Sequence, residues 1–184
     1  MVWVIVLVVA AVIVFWVIAT YNKLVAERKK VENSWSQIDV QLKRRSDLIP
    51  NLVNAVKGYM KFESDTLEKV MNARARALGA TNQKERMDAE GEVSGVLGRL
   101  LAVVENYPEL KANQNVMSMQ EELSNTENKI SYSRQFYNDI TMKYNTAIEQ
   151  FPANLIAKVF NFKMFDFFKI PESEKEVPKV DLNF

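Results

Sequence analysis

The sequence predicts an all-α protein, in which an N-terminal transmembrane helix continues into an elongated antiparallel bundle of three or four helices. Three observations lead there: an uncharged apolar run over residues 2–22, a seven-residue apolar repeat from Val31 onward, and strand-like alternation only in the last few residues. The repeat places Val31, Ile38, Arg45, Leu52, Tyr59, Thr66 and Ala73 in one set. Four residues later come Trp35, Leu42, Ile49, Val56, Glu63, Val70 and Ala77, and together the sets form the seam of a coiled coil or bundle.

The anchor comes first along the chain. Lys23 is the first charged side chain, and Val2 to Ala19 is almost wholly Val, Ile, Ala, Leu, Phe and Trp. At 1.5 Å per residue, about 20 helical residues span about 30 Å, the thickness of a bilayer's hydrocarbon core. So many β-branched residues make a poor helix in water, but in lipid an unpaired backbone costs far more, and the helix is favoured. Val2, Trp3, Phe15 and Trp16 belong to this anchor, and Tyr21 supplies an interfacial aromatic just before the charges begin. The alternative is a cleaved signal peptide, for which Val17-Ile18-Ala19 would be the cleavage site. That reading lacks a basic leader, and its apolar core would exceed the usual length of roughly 7–15 residues. Lys23, Arg28, Lys29 and Lys30 follow the span, so the positive-inside rule places the C-terminal domain in the cytoplasm.

Beyond the anchor, the repeat keeps its phase across Pro50, where a missing N–H and a crowded carbonyl cost about 3 kcal/mol. One long helix kinked at Pro50 is expected to run to Leu78, with a hairpin broken at Pro50 as the alternative. Gly79 offers a left-handed cap, and Thr81 or Asn82 can cap the next helix. That second helix runs to about Tyr107 with Met87, Val93, Val96, Leu97, Leu100, Val103 and Val104 inward. Its Gly91 and Gly95, four residues apart, allow close helix approach, and Gly98 lies one turn on. Pro108 marks a boundary. The seam resumes after Asn113 or Asn115 and holds to Phe151 for about five heptads, or about 50 Å of helix. Pro152 ends or restarts it, and residues 153–160 can form a short further helix. From Lys169 the composition turns to Pro, Glu and Lys, an extended tail in which Val180, Leu182 and Phe184 alternate with polar residues. The expected divisions are an anchor of residues 1–22, a bundle of 23–168 and a tail of 169–184.

Composition removes several kinds of chemistry. The 184 residues include no Cys and no His, so thiolate or imidazole metal sites and Ser-His or Cys-His nucleophiles are excluded. With 24 Lys plus Arg against 23 Asp plus Glu, the net charge of +1 gives no field for nucleic acid. Di-iron sites in bundles need Glu-x-x-His pairs, so no metal or cofactor is expected. No catalytic residue stands out.

Arg45 and Glu63 are charges at seam positions. Either Arg45 snorkels and Glu63 lies past the core edge, or they are buried members of ion pairs that fix register. Glu105 and Glu127 are candidate acidic partners for the second reading. Lys43-Arg44-Arg45 reads as a solvated, salt-bridged helix face. Phe160, Phe162, Phe165, Phe167 and Phe168 place five of the ten Phe in one short stretch. Packing onto the end of the bundle is the first reading, but three helices cannot easily bury all five there. Aromatic surface left exposed would mark a contact with a partner or a membrane surface.

Several of these stretches closely resemble the LemA family. They are Tyr21-Asn22-Lys23-Leu24-Val25, Trp35-Ser36-Gln37-Ile38-Asp39 through Arg45, Asp47-Leu48-Ile49-Pro50-Asn51-Leu52-Val53, and Tyr107-Pro108-Glu109-Leu110-Lys111. Thr126-Glu127-Asn128-Lys129-Ile130, Phe151-Pro152 and Val177-Pro178-Lys179-Val180-Asp181 extend the likeness over nearly the whole chain. The resemblance implies a bacterial inner-membrane protein with one N-terminal transmembrane helix and a helical-bundle domain. It implies no established catalytic site.

The function expected is structural rather than enzymatic: a membrane-anchored scaffold that forms a homo-oligomer. Phe160, Phe162, Phe165, Phe167, Phe168, Val180, Leu182 and Phe184 are the candidate contacts. The alternative is an adaptor that presents the bundle to a membrane protease or envelope-stress partner. The lipid bilayer, further copies of the chain and another membrane protein are the partners considered; nucleic acid is not.

Overall fold

The computed structural model describes residues 1–60 and 63–169. Val180, Leu182 and Phe184 therefore lie outside the described residues, as does nearly all of the expected tail. Among the described residues the fold is all-α, as expected, with six helices and no strand. These are α1 (Val2–Lys57), α2 (Ser64–Gly79), α3 (Gln83–Val104), α4 (Pro108–Lys111), α5 (Gln114–Glu149) and α6 (Ala153–Val159). The chain divides into two compact units, residues 1–38 with 133–167, and residues 39–132 with the segment that begins at Phe168.

Pro50 lies inside α1, which continues to Lys57, so no hairpin forms at the proline. The break comes at Gly58 instead, and the single helix expected to reach Leu78 is two helices. Between Val56 and Val70 the seam offers only Tyr59, Glu63 and Thr66, and that stretch lacks the apolar stripe that would hold a helix against a core. The N–H groups of Tyr59 and Met60 both return to the Val56 carbonyl, at 3.0 and 3.1 Å, and close the helix. Met60 is then buried at 1% exposure, while Tyr59 is turned outward at 45%.

In the unit of residues 39–132, four helical segments run alternately up and down. Arg74 Nε donates to the Ser46 carbonyl at 2.7 Å, folding α2 back along α1. Arg76 pairs with Glu92 between α2 and α3. Glu127 of α5 meets Arg45 of α1 and Ser94 of α3. Ile49, Leu52, Val56, Val70, Leu100 and Val116 form part of the apolar core between them.

The caps are local. Gly79 ends α2 without a left-handed residue, because Ala80 turns into extended backbone at φ −61° and ψ 129°. Asn82 Oδ1 accepts from the Glu85 N–H at 2.9 Å, while the Glu85 carboxylate accepts from the Thr81 hydroxyl at 2.8 Å and the Thr81 N–H at 3.0 Å. These bonds, the Thr81 hydroxyl foremost, hold the Glu85 carboxyl below its ordinary pKa. Asn113 Oδ1 likewise accepts from the Asn115 and Val116 N–H groups where α5 begins.

The close helix approach expected at Gly91 and Gly95 is not observed. A methyl group at either, or at Gly98, would meet no atom within 4 Å. The glycines are conformational weak points with open space around them. Gly98→Ala is therefore expected to stabilise the protein by about 0.5–1 kcal/mol. It should raise the urea midpoint followed by circular dichroism; a lowered midpoint would contradict the open surface.

Candidate functional site

The first element of the site is the anchor segment of α1. It is long and apolar enough to cross a membrane, and none of its most apolar stretch is buried by protein. Val2, Trp3, Phe15, Trp16 and Tyr21 are all exposed. Tyr21 is not without company, however. Its ring lies 4.7 Å from that of Phe160 and 5.7 Å from that of Phe162. The Phe-rich stretch thus returns to the end of the anchor, a link that sequence spacing does not reveal.

The return is made by α6 and the irregular segment after it. At the end of α6, Asn161 takes a left-handed φ of 54°, which Asn tolerates better than most residues. The Phe162 N–H then reaches the Ala157 carbonyl at 2.9 Å and the Asn161 N–H reaches that of Lys158 at 3.3 Å, a Schellman closure. The residues from Lys163 to Phe167 lie outside any helix, and side chains of α5 bond four of their backbone groups. Tyr144 Oη donates to the Lys163 carbonyl at 3.1 Å and Tyr137 Oη to that of Asp166 at 3.0 Å. Asn145 donates to the Phe165 carbonyl at 2.9 Å and accepts from the Phe165 N–H at 3.1 Å. Burial pushes the Tyr144 phenol above its ordinary pKa; nearby Arg28 opposes the shift and Glu32 adds to it.

These contacts redistribute the five phenylalanines. Phe162 lies under the Arg28 guanidinium at 5.5 Å, and Phe165 meets the Tyr144 ring at 5.4 Å. Phe168 is only 5% exposed, in keeping with packing onto the protein. Phe160 and Phe167 remain about half exposed. Tyr137 and Tyr144, read as seam residues, are seam residues whose hydroxyls also clip the segment to α5.

A separate candidate, within the unit of residues 39–132, is a buried ion network. Arg45 is 0% exposed. Its Nη1 donates to Glu127 Oε2 at 2.6 Å and to Ser94 Oγ at 2.7 Å; its Nη2 donates to Glu90 Oε2 at 2.5 Å and to the Glu90 carbonyl at 3.0 Å. Arg86 Nε reaches the other Glu90 oxygen at 2.7 Å, and Ser94 Oγ donates to Glu127 Oε1 at 2.7 Å. Glu127 was a candidate partner, whereas Glu105 lies several turns farther along the chain, just past α3. Glu63 stands at the turn before α2, and the structure does not bring it to Arg45. The Glu90 signal was present in the sequence, three residues from inward-facing Met87 and three from Val93, an acidic residue on an apolar face. Neighbouring Arg44 faces outward and pairs with Glu122 at 2.7 Å, as a salt-bridged helix face requires.

Among the described residues, no group of three acidic side chains converges to hold a metal. An open groove of about 480 Å³ is lined by Arg44, Glu121, Glu122, Asn125 and Lys129, so basic groups face its carboxylates.

Comparison with known proteins gives concordant relatives. The model of the LemA family matches residues 34–182. Protein LemA of Metamycoplasma hominis is 26% identical over 155 residues, covering 84% of this chain and 71% of that protein. Magnetosome protein MamQ 2 of Paramagnetospirillum magneticum is 25% identical over 175 residues, covering 81% of this chain and 64% of that protein. Magnetosome protein MamQ of Magnetospirillum gryphiswaldense is 24% identical over 174 residues, with 80% and 64% covered. The match thus spans slightly less than two thirds of these magnetosome proteins. None of these names denotes an enzyme.

Two outcomes are expected from this geometry. Arg45→Ala leaves Glu90 buried beside an empty space and should cost about 3–5 kcal/mol in urea unfolding. Glu127→Gln, at the partly exposed end of the network, should cost about 1 kcal/mol; equal losses would mean the network is not buried as described. For Tyr144, a raised pKa favours the neutral phenol in the folded state, so its contribution is full below the ordinary pKa of about 10 and is lost as pH rises through the raised value. Alkaline titration should therefore show a stability loss that Tyr144→Phe removes; an unchanged loss in the variant would assign it to other groups.

Proposed function

We propose that this chain, which belongs to the LemA family, is a non-catalytic scaffold that is held in a membrane by residues 2–22 and assembles there with copies of itself. The observation that carries this reading is the anchor segment, whose most apolar stretch none of the described residues covers. In water such a surface is unfavourable at about 25 cal/mol for each Å², whereas in lipid it is solvated. The kinship with proteins named for magnetosomes, rather than for a reaction, agrees with it.

The proposed division is an anchor of residues 1–22, a bundle of 23–168 and a tail of 169–184, in a single-pass protein whose bundle lies in the cytoplasm. The basic cluster Lys23, Arg28, Lys29 and Lys30 after the span supports that side. Confinement to the membrane raises the concentration at which copies meet. Phe167, still about half exposed, and the residues after Lys169 carry the subunit contacts in this reading.

Purification in mild detergent, with and without the residues after Lys169, tests it. The full chain should form a discrete oligomer that the shortened chain forms less readily. Two monomers at high concentration would overturn the proposal. Crosslinking in native membranes that yields one foreign membrane protein instead of self-links would replace scaffold by adaptor.

A further inference from the structure

The end of the anchor lies beside a second apolar surface. Phe151, Leu155, Val159 and Phe160 are 79%, 56%, 76% and 51% exposed. Leu155 and Val159 are one helical turn apart on α6, and Phe151 and Phe160 stand just outside its two ends. The opposite side of the same short helix is well packed, with Ile156 and Ala157 buried. Phe151, Leu155 and Val159 thus leave apolar surface uncovered on the other side, and Phe160, half exposed, adds a ring that also meets Tyr21.

Two contacts fix where this face lies along the anchor. At the C-terminal end of α6, Phe160 meets Tyr21, where the uncharged stretch of α1 ends. The N-terminal end of α6 follows α5, which runs antiparallel to α1: Trp35 meets Tyr137 at 5.9 Å, and Arg28 acts on Tyr144. Carried on in that register, the end of α5 at Glu149 comes level with Lys23. Both ends of α6 therefore stand at the boundary between the apolar and charged parts of α1. A helix in that position lies along a membrane surface rather than away from it.

Charge agrees with that placement. Between Gln150 and Phe165 the only ionisable side chains are Lys158 and Lys163, both exposed, and Lys23 is exposed at the same level. Glu149 and Asp166 lie just outside this stretch, so the helix itself carries only Lys. Such an apolar face suits an interface with anionic headgroups, where long cationic side chains reach the phosphates while the apolar residues sink among the acyl chains.

We propose that α6 and the elbow before it form an interfacial membrane-contact site, with Phe151, Leu155, Val159 and Phe160 inserted beside the anchor at the headgroup boundary. The site takes the bilayer surface as its ligand and prefers anionic lipid. With it the chain holds the membrane at two places, the spanning helix and this short helix, which restrains the tilt of the neighbouring helices at the surface. The inference rests on residues 2–22 lying in the bilayer.

The chain has no native Cys, so single labels can be placed freely. Leu155→Cys, Val159→Cys, Gln37→Cys and Ile13→Cys in the full chain would each carry an environment-sensitive fluorophore. Each would be reconstituted in vesicles of equal parts phosphatidylcholine and phosphatidylglycerol. The labels at 155 and 159 should shift to the blue and lose most of their emission to lipids with a nitroxide near the headgroup, whereas the label at 37 should lose none. The label at 13 should be quenched by a nitroxide deep in the acyl chain. If 13 is quenched but 155 and 159 behave like 37, the interfacial site is overturned and the anchor stands. If 155 and 159 are shielded from water but no lipid quenches them, a protein surface covers the face and the inference also fails. If 13 is not quenched, the anchor reading fails, and the interfacial site with it.

Discussion

A helix of about twenty apolar residues with nothing packed against it is a stable object in only one kind of surroundings. Its backbone bonds are satisfied internally, which permits it to lose water, and its side chains gain by doing so. The most apolar stretch of α1 is left uncovered by the described residues, and only Tyr21 at its end meets other side chains. The remaining features acquire their meaning from that constraint. Tyr21 marks where the apolar stretch ends, and the chain comes back to Tyr21 through α6, far away in sequence. Aromatic and basic side chains collect at this level, the composition that a passage from hydrocarbon to headgroups would favour.

The bundle unit solves a different problem, the presence of charges in its interior. Arg45 is fully enclosed, and an isolated guanidinium there would be prohibitive. Ser94, Glu90, Glu127 and Arg86 convert it into a network in which each carboxylate meets more than one donor. Such a network adds less stability than an apolar core of equal volume would, because desolvation offsets much of the attraction. What it supplies is register. Three helices must stand at one mutual height for these bonds to form together, whereas the Val and Leu layers of the same unit would tolerate a slip by a heptad.

In the anchor-bearing unit the ordering device is a non-helical segment that borrows its hydrogen bonds. Residues 162–167 lie along α5, whose Tyr137, Tyr144 and Asn145 bond to their main chain. The aromatic rings between them add contact area but are not the whole of the attachment. Phenylalanines that look on paper like one sticky patch are therefore spent differently: Phe162 and Phe165 on packing, Phe168 in an interior, and Phe160 and Phe167 at the surface.

The sequence alone determined whatever depends on neighbours in the chain. The apolar stretch before Lys23, the seven-residue spacing of the bundle helices, a cap at Thr81 or Asn82 and the interruption at Pro152 are all local, since helix formation and capping are decided within a few residues. The family likeness was legible in the same way. The tertiary structure alone decided which distant groups meet. Glu90 stood on an apolar face like Arg45, yet nothing local could pair them in preference to Glu63. Gly58 could end α1 because no apolar stripe continued beyond it, while Pro50 could not, because packing on both sides outweighed a single lost bond. The fate of the Phe-rich segment was hidden for the same reason: burial depends on what arrives from elsewhere in the chain, and spacing along the sequence carries no record of it.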